Sequence, residues 1–408
     1  MRVTNATIRA VNGLTARWAQ ASETGGGGTV LSAAGVWPLL ALLADGAGGP
    51  ARTELADAVG LPADEAADAA RQLLRALGAM RGLDSALGLW TKRTLELRER
   101  WGAGLPAEAH GALTGDEQAD KAALDAWAVK RTGGLIDSMP VPVTEDTELV
   151  LASALALRTK WLRPFRERLW MPETGPWCGR ELVGLRREST LLDRVGVADT
   201  PAGHVTELKV LGDNAIDVHL LLGEEGMTPG RVLGAGVGVL ARRHPVVPGS
   251  RLPYGDVGPG LRVAKERVAR PEPPTLDVRT VAYEVRTNHD LLERHEVFGL
   301  TAARLRQLPG HFPGISGSPL YVEGARQSAL ARFGARGFEA AAVTAFGMAG
   351  AGIPQLRWLT TTVEATFDRP FGFLALHRHT RLVLAAGWVA DPEPYREDED
   401  DQDEDEDC

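Results

Sequence analysis

The period of the apolar residues changes along the chain. Early on they recur at spacings of three and four, as with Ile8, Val11, Leu14 and Trp18 on one helical face. From about Trp170 to Leu276 they come in short runs broken by Gly and Pro. Near the end, FGFLALH and RLVLAAGWV read as two strands joined at Arg378-His379-Thr380. Helices dominate early and strands late, with no ordered strand–helix alternation and no internal repeat. That pattern predicts an α+β fold built around large, mostly antiparallel sheets. At 44% hydrophobic over 408 residues, the chain can bury a large core without a disulfide or a metal. No linker interrupts it, so one domain is expected over 1–392, followed by a tail over 393–408.

Local signals place the elements. Residues 29–47 read as a short strand entering a buried helix, and Pro50 starts a helix that stops near Gly60. Asp64 is expected to cap the run ending at Met80. Ser85–Trp90 reads as a strand, and Lys121–Arg131 as a helix stopped by Gly133-Gly134. LVLASALALRTKWL reads as one long buried strand, with VTELKVL and AIDVHLLL as a strand pair. TLDVRTVAYEV reads as a strand and HDLLERHEVFGL as a helix.

The formal charge of −9 is concentrated at one end. Glu397–Asp407 holds ten acids in eleven residues, so the body carries +1. Like charges with no apolar partner stay solvated, and the tail is expected to be disordered and dispensable for the fold. Nothing indicates a nucleic-acid surface. No stretch approaches the ~18 apolar residues of a membrane span. The N-terminus lacks the apolar run of a secretory signal, so the chain reads as cytoplasmic. Cys178 and Cys408 give neither a disulfide framework nor a metal spacing.

Catalytic signatures are missing. There is no HExxH, CxxC or GxxxxGK; GAGVG at 234–238 lacks a third glycine, and GISGS at 314–318 ends in Ser. His377 and His379 read as a surface pair on one strand face. No catalytic residue, metal ligand set or cofactor is assigned. One segment stands apart: Gly334–Pro354 is almost uncharged and rich in Ala and Gly. It reads as a buried helix, a flexible loop, or a strand able to lie outside or inside a sheet. Small uncharged side chains slide between strands at little steric or desolvation cost. As a strand, it sends Phe338, Ala340, Ala342, Thr344, Phe346 and Met348 to one face.

This segment resembles the hinge of the serpins: a Gly, a small hydroxyl residue, Glu, and small residues ending in Thr. Here the run is Gly337-Phe338-Glu339-Ala340-Ala341-Ala342-Val343-Thr344. The similarity extends from about residue 5 to 392, in order. It includes SAAGVWPLLALLADGAGGPARTELADAVGL, LDAWAVKRTGGLI, LALRTKWLRPF, and HEVFGL with FPGISGSPLYVEGARQSAL. It closes on Phe367-Asp368-Arg369-Pro370-Phe371 and GWVADP.

The resemblance implies a single domain with three sheets, about eight or nine helices and an exposed reactive loop around 340–366. It implies a serine endopeptidase inhibitor acting as a suicide substrate from a metastable fold. The protease, elastase-like or subtilisin-like, would cut Ala351-Gly352, and the cut loop would insert into the main sheet. The family alternative is a non-inhibitory binding or structural protein. Either way the chain is expected to be a monomer, not an enzyme, with no cofactor, and the family also allows an extracellular setting. Several positions depart from the family pattern: Phe338 and Ala335-Arg336 at the hinge, Ser153 and Gln327 in the central strands, and Ala33 and Gly35 nearby. If the Phe338 ring had to enter a packed sheet, overpacking would cost ~1–3 kcal/mol and slow insertion. Phe338→Thr would then improve trapping.

Overall fold

The computed structural model describes residues 3–22, 26–106, 109–306, 310–338 and 358–396, arranged on three sheets. In sheet A the order is β3 (His110–Leu113), β2 (Leu83–Lys92), β4 (Leu149–Leu157), β16 (Gly324–Phe333) and β15 (Tyr283–Asp290). Two short strands, β5 (Thr159–Lys160) and β17 (Gly337–Phe338), join it at one end. Sheet B runs β1 (Thr29–Leu31), β20 (Leu382–Val389), β19 (Phe371–His377), β10 (Ile216–Gly223), β9 (Gly203–Val210), β8 (Val195–Thr200) and β11 (Val246–Pro248). Sheet C runs β12 (Gly255–Gly258), β13 (Leu261–Val268), β18 (Trp358–Thr366), β14 (Thr275–Val281), β7 (Leu182–Ser189) and β6 (Arg166–Trp170). Only β2–β3, β4–β16 and β14–β18 are parallel among the described pairs.

Eight α-helices lie among the described residues: α1 (Asn5–Ala21), α2 (Ala33–Gly46), α3 (Gly49–Val59), α4 (Ala63–Gly78), α5 (Glu99–Gly104), α6 (Glu117–Thr132), α7 (Pro229–Leu240) and α8 (His295–Phe298). Three starts are capped by a side chain, at α1, α2 and α6. The Thr4 hydroxyl accepts from Thr7 N–H to begin α1, which buries Val11, Leu14 and Trp18 as its spacing predicts. The Ser32 hydroxyl accepts from Gly35 N–H to begin α2, an almost wholly buried helix. Helix α3 ends on Gly60 and α6 on Gly133, both left-handed. Helix α6 covers the outer face of sheet A through Leu124 and Ala128, with Trp127 edge-on to Trp90 of β2. No described helix is long and apolar enough to cross a membrane.

Five local expectations change. Asp64 does not cap α4; Pro62 is the cap, and Asp64 sits in the first turn bonded to Arg52. TLDVRTVAYEV is two strands, because Ala282 N–H bonds to Val183 O and turns the chain from sheet C to sheet A. Alternation cannot register a change of sheet. HDLLERHEVFGL is not one helix: β15 runs on to Asp290, and a 3-10 turn at Leu292–Arg294 and the short α8 follow before left-handed Gly299. A whole helix, α7, occupies the stretch read as strands and turns. Gly236 lets it lie close on β10, since a Cβ there would come 2.3 Å from Leu221 Cδ1. Residues 358–366 are no loop but β18, paired along its length with β13. At the C-terminal end, Glu393 and Tyr395 donate backbone bonds to Ala282 and Glu181, which ties 393–395 to sheet C.

Candidate functional site

The seam between β4 and β16 is the feature that the rest of sheet A frames. These strands pair in parallel over six positions, from Gly324↔Val150 to Ala329↔Leu155. Beyond that they part, and β17 stands between their ends. Phe338 pairs antiparallel with Phe333 on one side and with Thr159 on the other. The turn leading into β17 is tied down: Gly334 N–H bonds to Gly337 O, Trp161 N–H to Arg336 O, and Phe165 N–H to Ala335 O. Gly337 is required where β17 meets β5, because a Cβ would come 2.3 Å from Thr159 O.

The Phe338 ring is already inside. It is 1% exposed, its centroid lies 6.2 Å from that of Phe373, and it joins the aromatic layer between sheets A and B. In the same layer Tyr283 stacks on Phe333 at 5.3 Å. The expectation that this ring must enter a packed sheet is therefore corrected. Its space exists before any cut. Glu339, Ala340, Ala341, Ala342, Val343 and Thr344, with the expected scissile pair Ala351-Gly352, lie outside the described residues.

A buried polar cluster crosses the middle of the seam. Gln327 of β16 pairs in register with Ser153 of β4. Its Oε1 accepts from Ser32 N–H at 2.8 Å, and its Nε2 donates to Ser32 O at 2.9 Å and Ser153 Oγ at 3.2 Å. Ser32 Oγ donates to Leu384 O at 2.6 Å, so one residue ties sheet A, the start of α2 and sheet B. The sequence marked Ser153, Gln327 and Gly35 as departures; the fold brings them together around Ser32, which it did not mark. Every polar atom of the Gln327 amide is engaged, so the substitution is satisfied rather than a defect.

A family model described as serpin (serine protease inhibitor) matches residues 12–174 and 290–392. The chain belongs to the serpin family. It is 26% identical to serpin-Z6C of Oryza sativa subsp. japonica over 409 residues, covering 92% of this chain and 93% of that one. It is 33% identical to serpin-Z6A of the same plant over 153 residues, 34% of this chain and 39% of that one. Among solved structures it resembles human thyroxine-binding globulin, with TM-score 0.70, 16% identity and coverage of 96% and 99%. It resembles the thermophilic serpin tengpin in its native state, with TM-score 0.70, 15% identity and coverage of 95% and 94%. The three sheets and eight helices are those of the serpin fold, as the sequence led one to expect. Serpins are generally protease inhibitors rather than enzymes, although the family contains non-inhibitory members.

Proposed function

We propose that this serpin inhibits a serine endopeptidase by inserting its own cut loop into sheet A. The observation that carries the reading is the orientation of three strands. β4 and β16 run parallel, and β17 is antiparallel to both neighbours it touches. A strand continued from Phe338 would therefore run antiparallel to both. It would exchange one parallel ladder for two antiparallel ones, the more stable pairing per residue. The segment that would form it, 339–357, links β17 of sheet A to β18 of sheet C. Its two ends are held in different sheets, and a cut would free it to fill the seam. Alternation from inward-facing Phe338 sends Ala340, Ala342 and Thr344 to the core, where small side chains add little overpacking.

Cleavage is expected at Ala351-Gly352, by an elastase-like or subtilisin-like protease whose shallow pocket accepts Ala351. The test is incubation of the protein with a panel of serine proteases, read on a denaturing gel and by thermal unfolding. A covalent complex with at least one protease, and a cleaved chain that unfolds well above the intact one, are expected. Cleavage without any complex and without a gain in stability would leave a non-inhibitory serpin that binds a partner.

A further inference from the structure

Where sheets B and C meet beside the hinge, four basic side chains face one cavity of about 90 Å³. They are Arg163 from the segment after β5, Arg187 from β7, Arg194 just before β8 and Lys209 from β9. Ser189 is on the rim, and no Asp or Glu lines the cavity. None of the three arginines has a carboxylate partner among the described residues. Arg187 lies 4.2 Å over the Phe165 ring and donates to Arg163 O at 2.7 Å. Arg163 donates to Ser189 Oγ at 3.1 Å, and the Arg194 side chain has no described hydrogen bond or ion pair. The nearby carboxylates are occupied. Glu207 holds His219 at 2.8 Å and Lys209 at 3.4 Å, and Asp193 accepts from Ser250 N–H at 3.0 Å. Burial, then repulsion from Arg163 and Arg194, lowers the Arg187 pKa to about 10, so it stays charged at neutral pH.

Three arginines held together without a carboxylate partner raise the energy of the site, and an anion placed among them would relieve it. We propose that this cavity binds one small tetrahedral oxyanion, phosphate or sulfate, between sheets B and C. Guanidinium forks match such oxygens two at a time, and Lys209 and Ser189 add single donors. The volume is that of a few water molecules, which suits one inorganic ion rather than a nucleotide. Occupancy bears on the hinge. Arg187 rests on Phe165, and Phe165 N–H holds Ala335 O at 2.8 Å, so fixing Arg187 steadies the turn that feeds β17.

The test uses the full chain. Thermal unfolding is followed in phosphate, sulfate and chloride at matched ionic strength, because mere screening depends on ionic strength alone. The midpoint is expected to rise with phosphate or sulfate along a saturating isotherm and to stay flat in chloride. Arg187→Gln should weaken phosphate binding about tenfold, the loss of one charge-assisted pair. Arg194→Gln, outside the aromatic packing, should do the same and separates binding from folding. Amide exchange at Phe165 should slow at saturating phosphate; unchanged exchange would sink the link to the hinge. Equal shifts in chloride and phosphate, or parental affinity in both variants, would overturn the site. Binding seen only after removal of 397–408 would mean that tail carboxylates fill the cluster, which also refutes a free-ion site.

Discussion

Phe338 fills space between sheets A and B instead of waiting outside them, and this reverses what its substitution should do. In Phe338→Thr the layer formed with Phe333, Tyr283 and Phe373 loses a fully buried ring. The expected outcome is a loss of about 2–4 kcal/mol of stability, from lost burial and the cavity left behind. Trapping is not expected to improve. Urea unfolding of the two proteins measures the first, and the ratio of covalent complex to cleaved chain the second. Equal stability of variant and parent would mean that the ring is not packed in the uncleaved protein.

Strand β16 carries the control at the scale of elements. Its ladder to β4 must open for any strand to enter, and Gln327 fastens that ladder to Ser32 and Ser153. In Gln327→Leu, Ser32 keeps its place and its C=O still accepts from Gly35 N–H, but its own N–H loses its partner. One buried backbone group left unpaired costs about 1–3 kcal/mol. The seam should also part more readily, so amide exchange in Val150–Leu155 should quicken more than in β19 and β20. An even increase across all three sheets would show that Gln327 supports the fold in general and not the seam.

Across the whole molecule, buried histidines set the response to acid. His289 is buried against Trp18, and its Nε2–H donates to Val30 O at 2.8 Å. Burial holds its pKa below the ordinary imidazole value, partly opposed by that hydrogen bond. His110 and His377 are lowered too, burial first. The unfolded chain then binds more protons than the native one below about pH 6.5. Stability should be full above that pH and decline as pH falls toward the depressed native values, by at most about 1.4 kcal/mol per unit for each histidine. Urea unfolding between pH 7.5 and 5.5 should show the fall, and His289→Gln should flatten it. The C-terminal tail is expected to add nothing. Ten like charges without apolar partners cannot offset the entropy of ordering them. Removing 397–408 should leave the thermal midpoint unchanged, and a drop of many degrees would show a docked tail.

How much was legible in advance follows from what each interaction depends on. Spacing alone marked α1, with its buried Trp18, because one helix face is a local matter of 3.6 residues per turn. The β9–β10 pair was equally plain, since each strand shows its own apolar run. The order of family-like segments indicated the three sheets. It could not indicate that Ala282 turns one apolar run into two sheets, nor that glycine-rich 229–240 is a helix held by packing on sheet B. Phe338 looked like an obstacle because a motif lists residue types without the volumes around them. Its pocket is made by Phe333 and Phe373, the latter contributed by a different sheet. Ser32, Ser153 and Gln327 are far apart along the chain, and Arg163, Arg187, Arg194 and Lys209 belong to four separate segments. Hydrogen bonds and repulsions among them act over a few ångströms, so their meaning appears only once the sheets have brought those segments together.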